Sequence, residues 1–411
     1  MNAIQSLTKD LSLYIHWPFC LSKCPYCDFN SHVINKIDQS VWRKGLLTEM
    51  KTLSENTEDR KLKSIFFGGG TPSLMEPQIV SDIISEAKKI WGADGLLEIS
   101  LEANPSSVEA KKLHLFHQAG INRISLGVQS FNDTTLKFLG REHNAADSKR
   151  AVEIAKKTFE NVSFDMIYAT PGQTTQDWAS EIRQAIDFSS THLSVYQLTI
   201  ERGTAFFQKH RKGEFRMLDE DTLADLYEVT QDKLGSAGLA DYEISNHAKP
   251  NFECVHNLQY WKMKDYLGIG AGAHSRLTDK EGVRWAFRTH RAPNKWLSET
   301  KACGHAITEK VCLSLEDQIF ETLIMGLRLK KGISTVDFEN TFNKSIEEIF
   351  TSETLNILLG ERLVELDNKA FKATSLGRQK LDSLIRFLFS DFDLDHQPSF
   401  LEEIQLTNKE I

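Results

Sequence analysis

Up to Leu198, short apolar runs alternate with longer stretches whose apolar residues recur every three or four positions. The short runs, Leu11–His16, Ser64–Phe67, Glu98–Ala103, Arg123–Val128, Val162–Ile167 and His192–Leu198, have the length of strands. Between them, Trp42, Leu46, Met50 and Leu53 share one helical face, as do Trp178, Ile182, Ala185 and Ile186. Six β–α repeats predict an α/β fold of parallel strands joined by right-handed crossovers. Periodicity alone fits an open partial barrel and a doubly wound sheet equally well.

Beyond Leu198 the pattern changes. Residues 201–220 are polar and read as an excursion, 221–237 as a helix, and 240–300 as irregular chain rich in Trp, Tyr, His and Gly. A capping box of Ser314 and Asp317 predicts a helix to about Leu329, with Gly332 as its stop. Further helices are expected at 335–342, 346–359 and 376–389. Leu363–Leu366 and Ala370–Ala373 flank Asp367-Asn368-Lys369 as a hairpin. The divisions expected are therefore a core over 1–240, a connecting region over 241–312, a small winged-helix-like α+β domain over 313–390, and a mobile acidic tail over 391–411.

Charge narrows the function. The 411 residues carry a formal net charge of −8 and show no long Lys/Arg run, which argues against a nucleic-acid partner. The first ten residues lack the apolar core of a signal peptide. No stretch reaches the roughly 18 apolar residues that spanning a bilayer requires. A soluble, cytoplasmic protein is expected. Three of the six cysteines, Cys20, Cys24 and Cys27, crowd into eight residues, which points to metal rather than to disulfides.

The loop Cys20-x-x-x-Cys24-x-x-Cys27 follows the first strand directly. Three thiolates on one short loop can each grip one iron of a 4Fe–4S cubane and leave the fourth iron without a protein ligand, whereas ferredoxin-type clusters use four cysteines. The alternative is a zinc loop completed by His16 or His32. Gly68-Gly69-Gly70-Thr71-Pro72 follows the second strand; glycines let backbone approach a ligand, and successive amides make a polar cradle. Without the cysteines it would read as a tight turn. Glu102, Gln129, Arg141 and Asp165 stand at or just beyond strand ends, where a barrel gathers its active site. Arg141 suits a carboxylate; the other three suit ammonium, hydroxyl or adenine groups.

The segments Tyr14-Ile15-His16-Trp17-Pro18-Phe19-Cys20 and Cys24-Pro25-Tyr26-Cys27-Asp28-Phe29-Asn30-Ser31-His32 resemble the radical S-adenosylmethionine (SAM) superfamily. The resemblance is to the branch that holds the HemW-type heme chaperones and oxygen-independent coproporphyrinogen III dehydrogenase. It implies a partial (β/α)6 barrel followed by a smaller domain. It also implies a 4Fe–4S cluster on Cys20, Cys24 and Cys27, with S-adenosyl-L-methionine held by Tyr14, Tyr26, Gly69, Gly70, Thr71, Glu102, Gln129, Arg141 and Asp165. Trp17, Ala169 and Ala271 depart from the usual pattern but leave the cluster cysteines intact.

Two features separate the branch's members. The dehydrogenases carry another cysteine two residues past the third, where this chain has Phe29. His256-Asn257-Leu258-Gln259-Tyr260-Trp261 matches the His-Asn-x-x-Tyr-Trp motif of the chaperones. The resemblance thus implies a heme carrier rather than a dehydrogenase, with the dehydrogenase as the alternative. His256 would be the heme ligand in the connecting region, and a neutral imidazole can serve so. Nearby Cys254 could be a thiolate ligand instead, but reads as a buried, inert thiol. The partners implied are heme, apo heme proteins as acceptors, a reductant for the cluster, and transient contact with membrane respiratory complexes.

Overall fold

The computed structural model describes residues 10–390, apart from residues 35, 56, 58 and 190; the expected tail lies outside the described residues. One mixed sheet of twelve strands organises the chain. Its centre is β1 (Asp10–Trp17), β2 (Lys61–Gly69), β3 (Glu98–Ala103), β4 (Arg123–Gln129), β5 (Asn161–Tyr168) and β6 (His192–Gln197). Each pairs in parallel with the next. The returning helices include α1 (Gln39–Ser54), α2 (Pro77–Trp91), α3 (Leu113–Gln118), α4 (Ala145–Thr158) and α5 (Thr175–Phe188). The expected partial (β/α)6 barrel is what forms.

The strands alternate, with register shifts at Leu11/Ser12 and at Leu126/Gln129. Outward residues such as Leu13, Ile15, Ile65, Phe67, Leu101, Leu126 and Phe164 join one core with Trp42, Leu46, Met50, Ile83, Trp178 and Ile182 of the helices. Burying each such side chain is worth roughly 1.5–3 kcal/mol, so the outer face drives folding. The other face bears Ser12, Ser64, Ser100, Ser125, Ser163 and Ser194 with Glu98, Arg123 and His192, most of them buried. A polar barrel lining needs partners. Helix α6 (Glu220–Ser236) packs outside against α5, whereas α7 (Val255–Trp261) packs against β2 and supplies partners to Ser64 and Glu98, while Ser163, His192 and Ser194 pair among themselves. Glu98 accepts the Val255 and His256 amides at 3.1 Å each and so caps α7 from within the barrel.

Four stretches differ from expectation, two of them before residue 313. Residues 240–300 are not irregular, and 241–312 is not merely a connector. β7 (Ala240–Asp241) and β8 (Asn246–Ala248) extend the β6 edge, while β9 (Tyr266–Ile269) returns in parallel beside β1. β10 (His274–Thr278), β11 (Arg284–Thr289) and β12 (Ile307–Cys312) continue antiparallel from it, with α8 (Pro293–Cys303) between the last two. Their strand pattern is masked by glycines and arginines that are spent on turns and ion pairs. Within the excursion over 201–220 stands a helix, Ala205–Arg211, anchored by buried Phe206.

The last unit begins with α9 (Leu315–Gly326), and the Ser314/Asp317 capping box is present. Ile333–Ser334, Ala370–Ala373 and Val364–Leu366 make a three-stranded sheet around a separate core. The helix expected over 346–359 is broken: Phe350 is extended and Thr351 caps a new helix at Ser352–Gly360. The last helix is likewise split at Lys380. Among the described residues, no helix is long and apolar enough to cross a membrane.

Candidate functional site

Beyond β1, the chain makes the two-residue strand Phe19–Cys20, loops out, and returns to pair in parallel with it at His32–Val33. Cys20 is buried; Cys24 and Cys27 are half-buried. The loop is clamped at several points. Asn30 Nδ2 donates to the Ala271 and Arg291 carbonyls at 2.8 and 3.0 Å. The Asn30 carbonyl meets His16 Nε2 at 2.9 Å. At the tip, Pro25 O accepts from Phe206 N at 2.8 Å, and a Cβ on Gly140 would stand 2.5 Å from Pro25 Cδ. Only glycine permits that approach, and Gly140 has φ +66°.

The three thiols open onto a cavity of about 220 Å³ at the C-terminal ends of the strands. Tyr26, Gly69, Gly70, Thr71, Glu102, Gln129, Arg141 and Asp165 line it with Cys20, Cys24 and Cys27. Eleven of the thirteen expected residues thus meet in one place. Asn104, Ser125 and His143 line it too, although sequence reading had not singled them out. Asn104 lies just past β3 and Ser125 within β4, a signal of position alone, while His143 stands two residues after Arg141 in a loop between helices.

The amides after β2 do not form the cradle expected of them. Gly70 N donates to Trp17 O at 2.7 Å and Thr71 N to Phe19 O at 2.8 Å, while the Gly69 amide serves Glu102. They bind the cysteine loop to β2 instead. A Cβ on Gly70 would lie 2.7 Å from Phe19 O and 3.0 Å from the Cys20 sulfur.

The opposite wall is acidic. Burial first, then the charge of Asp165, pushes Glu102 up to about 8. Burial likewise pushes Asp165 up to about 6, against hydrogen bonds from Ser194 and Ser125 and the positive charges of Arg141 and Arg123. Gln129 has φ +66° at the irregular end of β4. For a non-glycine residue that conformation costs on the order of 1–3 kcal/mol and collects at functional sites. Arg141 donates to the Cys24 sulfur at 3.2 Å, to Asn104 Oδ1 at 2.6 Å and to Gly127 O at 3.0 Å. Its Nε is buried without a partner.

This set of groups fits a zwitterion that carries a sugar: the unpartnered Arg141 Nε–H for a carboxylate, and the Glu102 and Asp165 carboxyls with the Gln129 amide for an ammonium or hydroxyls. The thiols fit a cluster better than zinc. A single zinc gathers its sulfurs within about 2.3 Å of one point. The choice of a cluster rests on a loop of three cysteines with no fourth cysteine or second Cys-x-x-Cys pair beside it. Burial first pushes the Cys20 and Cys27 thiols up. Iron binding would therefore have to displace their protons.

Two expected residues stand apart. Tyr14 does not line the cavity; its hydroxyl meets His16 Nδ1 at 3.1 Å and its ring stacks on Phe66. His256 lies in the barrel floor, 1% exposed. Its Nδ1 meets Ser64 Oγ and its Nε2 meets Tyr260 OH, both at 2.8 Å. Burial holds it down at about 3, so it is neutral, but neither nitrogen is open to iron in this arrangement. The residue expected to ligate heme here ties α7 to β2 through its imidazole. Cys254 is buried, 3.6 Å from Glu98 Oε1, and pushed up to about 12 by burial.

The profile of the radical SAM superfamily matches residues 14–185, and that of the HemN C-terminal domain matches residues 313–379. The heme chaperone HemW of Haemophilus influenzae is 36% identical over 387 residues, 93% of this chain and 98% of that one. The mitochondrial radical S-adenosyl methionine domain-containing protein 1 of Mus musculus is 33% identical over 404 residues, 96% and 91% of the two chains. Among solved structures, coproporphyrinogen III oxidase (HemN) from Escherichia coli superposes with a TM-score of 0.78 at 21% identity, covering 94% of this chain and 91% of that one.

Proposed function

The chain belongs to the radical SAM superfamily, in its HemW branch, and from that membership we propose that it is a heme chaperone, one that binds heme and passes it to apo heme proteins. Its resident cofactors are a 4Fe–4S cluster and S-adenosylmethionine. The observation that carries the choice within the branch is Phe29. The dehydrogenases of the branch hold a further cysteine at this position; here an apolar side chain, 60% exposed, stands on the rim of the cavity.

In this reading Cys20, Cys24 and Cys27 hold three irons. Arg141 Nε takes the methionine carboxylate, the Gly69–Thr71 turn takes the amino group, and Glu102, Gln129 and Asp165 take the remaining polar groups beside Tyr26. Bound together, the two cofactors supply one-electron chemistry. The residues of the chain orient them and keep water from the acidic wall. A one-electron reductant for the cluster and transient contact with membrane respiratory complexes complete the proposal.

His256 remains the iron ligand proposed for heme. Coordination would require α7 to exchange its Ser64 and Tyr260 hydrogen bonds for iron, so heme entry is coupled to release of α7 from the barrel floor. Tyr14 supports this floor rather than the cofactor.

The test is anaerobic reconstitution followed by heme titration and transfer to an apo-acceptor, with and without S-adenosylmethionine. The reading expects about four irons per chain, heme uptake that His256→Ala weakens, and no decarboxylation of coproporphyrinogen III. Sustained decarboxylation would install the dehydrogenase reading, which the HemN-like fold also accommodates. Zinc without acid-labile sulfide would remove both.

A further inference from the structure

We propose that Arg141 raises the reduction potential of the cluster through its hydrogen bond to the Cys24 sulfur, a role separate from receiving the cofactor's carboxylate; the inference rests on the cluster reading above. The guanidinium is fixed on both sides. Nη2 is held by Asn104 Oδ1 at 2.6 Å and Gly127 O at 3.0 Å, which leaves Nη1 at 3.2 Å from the sulfur. Asn104 is itself pinned, its amide to Glu109 Oε2 at 2.8 Å and its Nδ2 to Thr71 Oγ1 at 3.4 Å. The backbone of Arg141 is tied to Leu136 O at 2.9 Å. Gly127 is open enough to admit the fork: a Cβ there would stand 3.4 Å from Nη2.

The three sulfurs are not treated alike. Cys20 receives the Thr71 hydroxyl at 3.4 Å, and Cys27 stands 4.0 Å from the Ser31 hydroxyl. Cys24 alone among them faces a cationic donor in the described contacts. Hydrogen bonds to cluster sulfurs and nearby charge are the levers by which a protein moves an iron–sulfur potential. A charged donor is roughly twice as strong as a neutral one. Adding an electron makes the cluster more negative, so the guanidinium stabilises the reduced form more than the oxidised one. Because Nε has no protein partner, this bond and a carboxylate contact do not compete for the same hydrogen.

The experiment is a redox titration of the reconstituted cluster followed by electron paramagnetic resonance, without S-adenosylmethionine, in wild type, Arg141→Gln, Arg141→Lys and Asn104→Ala. At a fixed poise, Arg141→Gln is expected to lower the reduced-to-oxidised ratio about tenfold, or about 59 mV for one electron. Arg141→Lys keeps the charge without the fork and should fall between it and wild type. Asn104→Ala keeps Arg141 but leaves Nη2 only its Gly127 O contact, and should lower the ratio roughly threefold; it carries the test if Arg141→Gln does not load. Wild-type ratios in the loaded variants would overturn the proposal. Wild-type protein that takes up no iron and sulfide would overturn the cluster reading beneath it.

Discussion

The Arg328 guanidinium lies 4.5 Å from the centroid of the Trp261 ring and pairs with Glu243 at 3.2 Å. Trp261 ends α7, whose other end carries His256. Glu243 is fully buried and also accepts from Asn246 Nδ2 at 2.6 Å and from the Ser245 amide at 2.9 Å. The C-terminal unit is thus fastened over the helix that fills the barrel floor. Arg276–Glu321 at 2.7 Å and Arg378–Asp241 at 2.9 Å add to the fastening. Arg328→Ala should loosen this docking by about 1–2 kcal/mol, a factor of roughly 5–30. Amide exchange in residues 255–261 should quicken by that factor, and heme uptake should speed up with it. Faster exchange with unchanged uptake would separate α7 release from heme entry.

Asn30 reaches across the sheet to hold the cysteine loop. Asn30→Asp keeps the shape but replaces the donor to Ala271 O and Arg291 O with an acceptor. Two carbonyls then face a carboxylate oxygen, at a cost of about 1–3 kcal/mol. The cluster of the variant should be lost to chelator several times faster than that of wild type, while the melting temperature of the C-terminal unit stays put. Equal chelation rates would remove Asn30 from the support of the loop.

Gln129 at φ +66° should tolerate Asn, which enters the left-handed region readily, and reject Val. Gln129→Val is expected to destabilise by about 2 kcal/mol, and Gln129→Asn by under about 0.5. Denaturant midpoints measure both. S-adenosylmethionine affinity should fall in each, because neither side chain reaches as far into the cavity.

Glu102 and Asp165 make stability depend on pH. Both carboxyls are held above the unfolded range of about 4, at about 8 and about 6. The folded apoprotein therefore keeps protons that the unfolded chain releases. Their contribution is complete below about pH 4 and drains away as pH climbs through 6 and then 8. The melting temperature of the apoprotein should fall between pH 5 and 8.5, and Glu102→Gln should flatten the upper part of that fall. A ligand ammonium favours the ionised carboxylates, so binding of S-adenosylmethionine at pH 7 should release protons. Calorimetry in buffers of different ionisation heat reads that release; no release would place the ammonium elsewhere.

Much of this was legible in the chain. The runs from Leu11–His16 to His192–Leu198 became β1 to β6 with no end displaced by more than three residues, because a buried outer face imposes its apolar residues at strand spacing. The capping box at Ser314/Asp317 and the 363–373 hairpin were readable because both depend on neighbours in sequence. The strands over 266–312 were not. They mix Gly, Arg and Trp, and only pairing with β1 gives Tyr266–Ile269 its buried face.

The sequence by itself determined the alternation of strands and helices, the three-thiolate loop and the polar residues at the strand ends, because each is written within a few neighbouring residues. Tertiary structure alone decided that Arg141 meets Cys24 across 117 residues, that Asn30 meets Ala271 across 241, and that His256 is sealed against Ser64 across 192. Those contacts depend on sheet register and on where α7 enters the barrel. Burial there converts a residue that reads as an open ligand into one whose two nitrogens are already engaged.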